Sequence, residues 1–280
     1  MTYEGWIAMR YLTAKKEPFL AVINFVAVAG VAIGVAALIV VIAVMTGFDN
    51  DLRDKIVGTN AHLVVEKEIG LNNFKTIQKE LMGVNGVKAT TPYVQGPLFV
   101  EYDGQSMGVI GRGIDPRTEG TVTKAKEYLK EGRLDALDAN SIIIGKELSI
   151  YLGKHLGDTV TLIAPASGLS GGGWRRDLKI VGIFTSGMYD YDMNLLLLNI
   201  AKAQEIFQFP TDTVTGVAVK VNNIYDAPKI KEMIYKRIGH SFLVKTWIDS
   251  NRNFFAALKL EKFAMFIILT LIVFVASFNI

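Results

Sequence analysis

The chain has 280 residues, half of them hydrophobic, and its 30 Lys and Arg against 27 Asp and Glu leave a formal charge of +3. A near-neutral surface of mixed sign excludes the basic footprint of a nucleic-acid binder. With no cysteine present there is no disulfide framework, thiol nucleophile or Cys-ligated zinc site.

Mean hydropathy is +0.31, and the apolar excess is concentrated in two blocks. Residues 1–18 precede the first block and carry Arg10, Lys15 and Lys16 against Glu4 and Glu17. This basic bias predicts a cytoplasmic segment. Tyr3 to Lys16 is expected to form a short interfacial helix with Trp6 and Tyr11 at headgroup level.

Phe19 to Phe48 carries no formal charge, and a bilayer core needs about 20 helical residues. A signal peptide's apolar region is shorter, about 7–15 residues, so residues 19–48 are predicted to be a retained transmembrane helix. Its excess length allows tilt or projection beyond the lipid. Gly30 and Gly34 form a GxxxG pair among alanines, which predicts close packing against another helix. The acidic flank Asp49-Asn50-Asp51 places the following domain, residues 49–262, outside the cytoplasm.

In that domain Ala61–Glu66 reads as a strand and Asn73–Met82 as a helix. Pro97–Tyr102 and Ser106–Gly111 flank Asp103-Gly104, a hairpin signal because Asp-Gly favours primed turns. Ser141–Ile144 (strand) and Lys146–Leu152 (helix) follow, then strands at Thr159–Ala164 and Asp177–Phe184. Leu195–Leu198, Ala201–Phe207 and Val214–Val221 read as strand, helix, strand. Tyr225–Arg237 shows helical spacing of its isoleucines. Short strands alternating with helices predict an α+β domain.

No catalytic constellation emerges. His62, His155 and His240 lack metal-binding spacing. Gly145-Lys146 is followed by Glu147, so no phosphate-binding loop of the nucleotide-binding type is present. Gly111-Arg112-Gly113 lacks the context of a dinucleotide loop. Asp190 and Asp192 suggest a carboxylate pair, but two acids at i, i+2 before a strand read rather as a solvated turn. The long glycine-rich loop from Pro165 through Leu169 to Trp174, Arg175 and Arg176 is a candidate binding element, since long loops are commonly functional and Trp and Arg dominate hot spots. A hairpin tip with Trp174 tucked against the domain is the alternative.

Ser250–Lys262 leads into the second apolar block, residues 263–280, predicted to be a second transmembrane helix returning to the cytoplasm. Its abrupt stop predicts that the helix continues past Ile280, and hence that this chain is a fragment or truncated product.

Several separated strings carry a family resemblance. Ile7-Ala8-Met9-Arg10-Tyr11-Leu12, Val44-Met45-Thr46-Gly47-Phe48, Leu52-Arg53-Asp54-Lys55-Ile56, Gly187-Met188-Tyr189-Asp190-Tyr191-Asp192 and Leu258-Lys259-Leu260-Glu261-Lys262 resemble the LolC/LolE family. These are permease subunits of the bacterial lipoprotein-releasing ABC transporter. The resemblance implies a multi-pass protein of the Gram-negative inner membrane with a periplasmic domain of the MacB core type. It also implies a non-catalytic subunit without a cofactor of its own, ATP and Mg being bound by a partner ABC ATPase. Further implied partners are a sibling permease or second copy, membrane lipid, the lipoprotein substrate and a periplasmic carrier of the LolA type. By the same resemblance, Val41, Val44, Met45 and Phe48 line an acyl-chain cavity. Pro165, Leu169, Trp174, Arg175 and Arg176 fall at the carrier-docking hook. A MacB- or FtsX-like permease with another substrate and a membrane-anchored periplasmic sensor are the competing functions.

Overall fold

A computed structural model describes Tyr3, Glu4, Trp6, Ile7, Arg10 and residues 18–165 and 174–278. It divides into two compact units, Met1–Leu52 with Arg252–Ile280, and Arg53–Asn251.

In the first unit the five described N-terminal residues are helical, and the Arg10 guanidinium lies over the Trp6 ring at 5.3 Å, one turn away. Tyr11 lies outside the described residues. Helix α1 runs over Pro18–Thr59, eleven residues past the apolar block, so its final turns belong to the second unit. Its segment Val28–Gly47 is long and apolar enough to cross a bilayer, with a mean hydropathy of 2.9 and none of it buried. Among the described residues it is the one helix meeting that criterion.

The second unit is a mixed α/β structure. In chain order come β1 (Leu63–Asn72), α2 (Phe74–Met82), β2 (Val87–Tyr102) and β3 (Gln105–Ile114), then the short helices α3 (Glu119–Val122) and α4 (Ala125–Tyr128). Next are β4 (Leu129–Gly132), β5 (Ser141–Gly145), α5 (Lys146–Leu152), β6 (Thr159–Ala164) and β7 (Trp174–Phe184). The unit closes with α6 (Tyr189–Asn194), β8 (Leu195–Asn199), α7 (Ile200–Ile206), β9 (Thr213–Val221), α8 (Ala227–Ile238), β10 (Leu243–Thr246) and α9 (Trp247–Ser250). Helix α10 (Arg252–Phe278) completes the first unit. It holds most of the second apolar block, with Phe263, Phe266, Leu271 and Phe274 each more than half exposed.

The strand pairings close on themselves. β2 pairs with β3, β3 with β8, β8 with β5, β5 with β7, β7 with β6, and β6 returns to β2. Leu98, Val100, Ile142, Ile144, Leu162, Leu196 and Leu198 alternate onto one face of these strands and are all fully buried. The ring therefore encloses an apolar core made by period-two patterning. Gly111 leaves room there for Leu98, whose Cδ1 would stand 2.4 Å from a Cβ at that position.

The lower half of β2 pairs with β9 instead, and β9, β1 and β10 extend an antiparallel sheet from the ring. Helices α2 and α8 supply buried Leu81, Ile230 and Ile234. The outer face of β5, β7 and β8 carries Ile143, Phe184, Leu195 and Leu197, covered by Leu134, Leu137, Tyr128 and Tyr191.

One expectation is overturned. Tyr189–Asp192 is not a solvated turn but the start of α6, and Asp192 is 2% exposed. Its Oδ1 accepts the Ser186 N–H at 2.8 Å and the Ser186 hydroxyl at 2.6 Å, which satisfies a buried carboxylate locally. Asp190 is exposed.

Candidate functional site

An apolar cleft of about 300 Å³ lies between the two long helices of the first unit. From α1 it takes Ile42, Met45 and Thr46, residues spaced i, i+3, i+4 on one helical face. From α10 it takes Met265, Phe266 and Leu269, with Glu261 and Lys262 one turn earlier. Thr46 turns its hydroxyl back onto the Ile42 carbonyl at 2.7 Å, which spends its polarity inside α1. The lining is thus flexible thioether, aromatic and aliphatic surface with a charged pair at one end. Such surface adapts to alkyl chains.

The two helices run antiparallel, since Gly34 meets Ile272 while residues 42–46 meet residues 261–269. A Cβ on Gly34 would stand 3.4 Å from Ile272 Cγ2, whereas one on Gly30 would have nothing within 4 Å. Of the GxxxG pair, Gly34 therefore faces the second helix.

Of the four residues that the resemblance assigns to the cavity, Met45 lines the cleft. Val41 and Val44 are exposed, at 42% and 64%; Val41 stands one turn before Met45 at the edge of the Ile42–Met45–Thr46 stripe, and Val44 lies on the opposite side of α1. The Phe48 side chain lies outside the described residues. Sequence reasoning missed Ile42, Glu261, Lys262, Met265, Phe266 and Leu269. Met265 and Leu269 carried a signal in their i, i+4 spacing, but nothing local shows which face of α10 meets α1.

The hook residues sit on the hairpin formed by β6 and β7, whose last described pair is Ala164 with Trp174. Pro165 is exposed, and Leu169 lies outside the described residues. Trp174, Arg175 and Arg176 do not form one surface, because successive strand residues point to opposite faces. Trp174 and Arg176 share the face of Ala164 and Leu162, and Arg175 shares that of Ile163. Trp174 is half-buried. On its side, the Lys202 hydrogen bond holds the Glu205 carboxyl of α7 below its usual range, and Trp174 and Arg176 add to the effect. On the other side Arg175 Nη2 pairs with Glu101 Oε2 at 2.6 Å.

A buried polar cluster was also missed. Arg112 on β3, 8% exposed, lies over the Tyr93 ring at 4.4 Å, and its Nη2 stands 3.9 Å from Glu119 Oε1. Tyr93 donates to Glu66 at 2.6 Å, and Lys245 donates to the other Glu66 oxygen at 2.8 Å. Burial opposes the charge on Arg112, yet Glu119, Tyr191, Tyr93 and Glu66 together hold the guanidinium above its ordinary value. Burial also raises the Tyr93 phenol, with Glu66 adding to it. Flanking glycines mark the strand, but nothing in Gly-Arg-Gly announces a buried arginine.

A family model described as the MacB-like periplasmic core domain matches residues 24–236, so the fold class is that of MacB-type permease domains. The periplasmic region of MacB from Actinobacillus actinomycetemcomitans aligns over 72% of this chain and 95% of its own, with 14% identity and a TM-score of 0.46. The chain is 34% identical to "Lipoprotein-releasing system transmembrane protein LolC" of Neisseria meningitidis serogroup B, over 99% of this chain and 68% of that protein. It is 30% identical to the LolC protein of Xylella fastidiosa strain Temecula1, over 98% of this chain and 67% of that one. The chain belongs to the LolC/LolE family of lipoprotein-releasing transmembrane proteins.

Proposed function

We propose that this chain is a permease subunit that extracts lipoproteins from the bacterial inner membrane and hands them to a periplasmic carrier of the LolA type. The observation that carries the reading is the apolar cleft between Ile42 and Met45 of α1 and Met265, Phe266 and Leu269 of α10. Removing an acyl chain from lipid costs about 0.8 kcal/mol per CH₂. A pre-formed apolar cleft offsets part of that cost, and the rest comes from ATP and Mg held by a partner ABC ATPase. A sibling permease or second copy supplies the facing half.

The exposed faces of Val28–Gly47 and of Phe263–Val275 support residence in lipid, since an apolar surface of this extent is a liability in water. In this reading both helices span, residues 1–18 are cytoplasmic and residues 49–262 form the periplasmic domain. Val41, one turn before Met45, and Phe48, three residues after it, extend the acyl-chain path from the cleft along α1. Pro165, Leu169, Trp174, Arg175 and Arg176 form the hook that docks the carrier.

A photo-crosslinker placed at Met45 or Phe266 tests the assignment in native membranes. Capture of an acylated lipoprotein is the expected result. Capture of unacylated protein alone, or of nothing, refutes the cleft as the substrate site.

A further inference from the structure

The C-terminal end of α1 is held by two short segments that take no part in the sheet. The last carbonyls of a helix have no partner within it, and buried ones need one from elsewhere. Gly58 and Thr59 are both buried. The Lys124 N–H donates to the Gly58 carbonyl at 3.0 Å. The Tyr191 hydroxyl donates to the Thr59 carbonyl at 3.2 Å. The approach on the Gly58 side is close, since a Cβ there would meet Tyr128 Oη at 2.0 Å and Lys124 Cδ at 3.1 Å.

Tyr191 is fixed independently of the helix it holds. Its neighbour Asp192 is seated on Ser186, and its ring packs edge-on against Phe184 with centroids 6.1 Å apart. Beyond Thr59, only Asn60, Ala61 and His62 separate α1 from β1. The His62 carbonyl accepts the Trp247 N–H at 2.9 Å, and Trp247 opens α9, which leads into α10. The exit from one long helix and the approach to the other are thus joined through His62.

We propose that Tyr191 and the backbone N–H of Lys124 are positioning groups for transport, holding the end of α1 so that its movement reaches β1 and the approach to α10. The inference rests on the permease reading and deepens it. It separates grip from fold, because Tyr191→Phe keeps the ring in its packing and removes one hydrogen bond. Lys124→Pro removes the other donor, and its ring Cδ, taking the place of the amide hydrogen, presses on the Gly58 carbonyl, so it is the more disruptive of the two. Lys124 has φ −88°, and Thr123 before it is extended at φ −106°, ψ 171°, as a following proline requires.

The test uses the complete permease with its ATPase in vesicles loaded with an acylated lipoprotein, and measures lipoprotein released per ATP hydrolysed together with the melting temperature. Each variant is expected to melt a few degrees below wild type, the cost of one buried hydrogen bond, and to hydrolyse ATP normally. Release per ATP should fall by about two- to tenfold, the factor a single hydrogen bond is worth. A wild-type ratio in both variants overturns the inference and leaves the permease reading intact. A parallel fall of melting temperature, hydrolysis and release in both also overturns it, because the grip is then purely structural. A wild-type transporter that releases no lipoprotein overturns the permease reading and this inference with it. Should Lys124→Pro fail to fold, Tyr191→Phe decides alone.

Discussion

Glu101 Oε2 and Arg175 Nη2 lie 2.6 Å apart, reaching diagonally over β6 from strands that do not pair with each other. The pair ties the returning arm of the β6–β7 hairpin to β2. It also occupies one of the two arginines that the sequence offers for carrier docking.

Arg175→Ala should therefore cost under about 1 kcal/mol of stability in a urea melt, the usual worth of a solvent-exposed ion pair. Arg176 extends its guanidinium from the other face and its Nη1 donates to the Arg175 carbonyl. Titration with the carrier should show a larger affinity loss for Arg176→Ala than for Arg175→Ala. The opposite order would mean that the carrier displaces Glu101 from its arginine.

Arg112→Met should be far more damaging. It strands Glu119, whose side chain is 3% exposed, and an uncompensated buried charge costs about 3–5 kcal/mol. The double variant Arg112→Met with Glu119→Leu should regain most of that loss in thermal melts, because it removes both charges together. A double variant as unstable as the single one would place the importance of Arg112 in its contact with Tyr93 instead.

His62 makes the domain acid-sensitive. It is 7% exposed, its Nδ1 accepts the Val221 N–H at 3.2 Å, and burial, with Lys220 adding, lowers its pKa to about 4. A histidine depressed in the folded state is protonated first in the unfolded chain. Its contribution is thus whole above the unfolded value of 6.5 and is lost as pH falls from there towards about 4. The loss should reach about 3 kcal/mol, read as a falling urea midpoint. His62→Asn, which keeps an acceptor without titrating, should flatten that dependence.

Gly145→Ala should unseat α6. A Cβ at Gly145 would stand 2.0 Å from the Asp192 carbonyl oxygen, which is backbone and cannot swing away. The variant should lose about 1–3 kcal/mol, the usual cost of overpacking. Protease sensitivity around Gly187 should rise with it.

Local chemistry accounts for what was legible. Asp103 and Gly104 take φ of 49° and 75°, the primed turn that Asp-Gly favours, and the Tyr102–Gln105 pair closes it. Lys146–Leu152 and Thr159–Ala164 form the helix and strand that their patterns predict. Leu129–Gly132 and Leu243–Thr246 were not read as strands. Each has only four residues and one pairing partner far away in the chain, so tertiary contact rather than pattern makes it a strand. The same limit applies to the cleft. Met45 came from a motif, but its companions on α10 depend on which faces of two helices meet. Ring closure is likewise non-local, resting on the pairing of β2 with β6.

That closure leaves the hairpin's mounting independent of its tip. β6 and β7 are secured from Thr159–Lys179 up to Ala164–Trp174 and are joined on their outer sides to β2 and β5. The described ladder of the hairpin is therefore secured without any contribution from the stretch between Pro165 and Trp174.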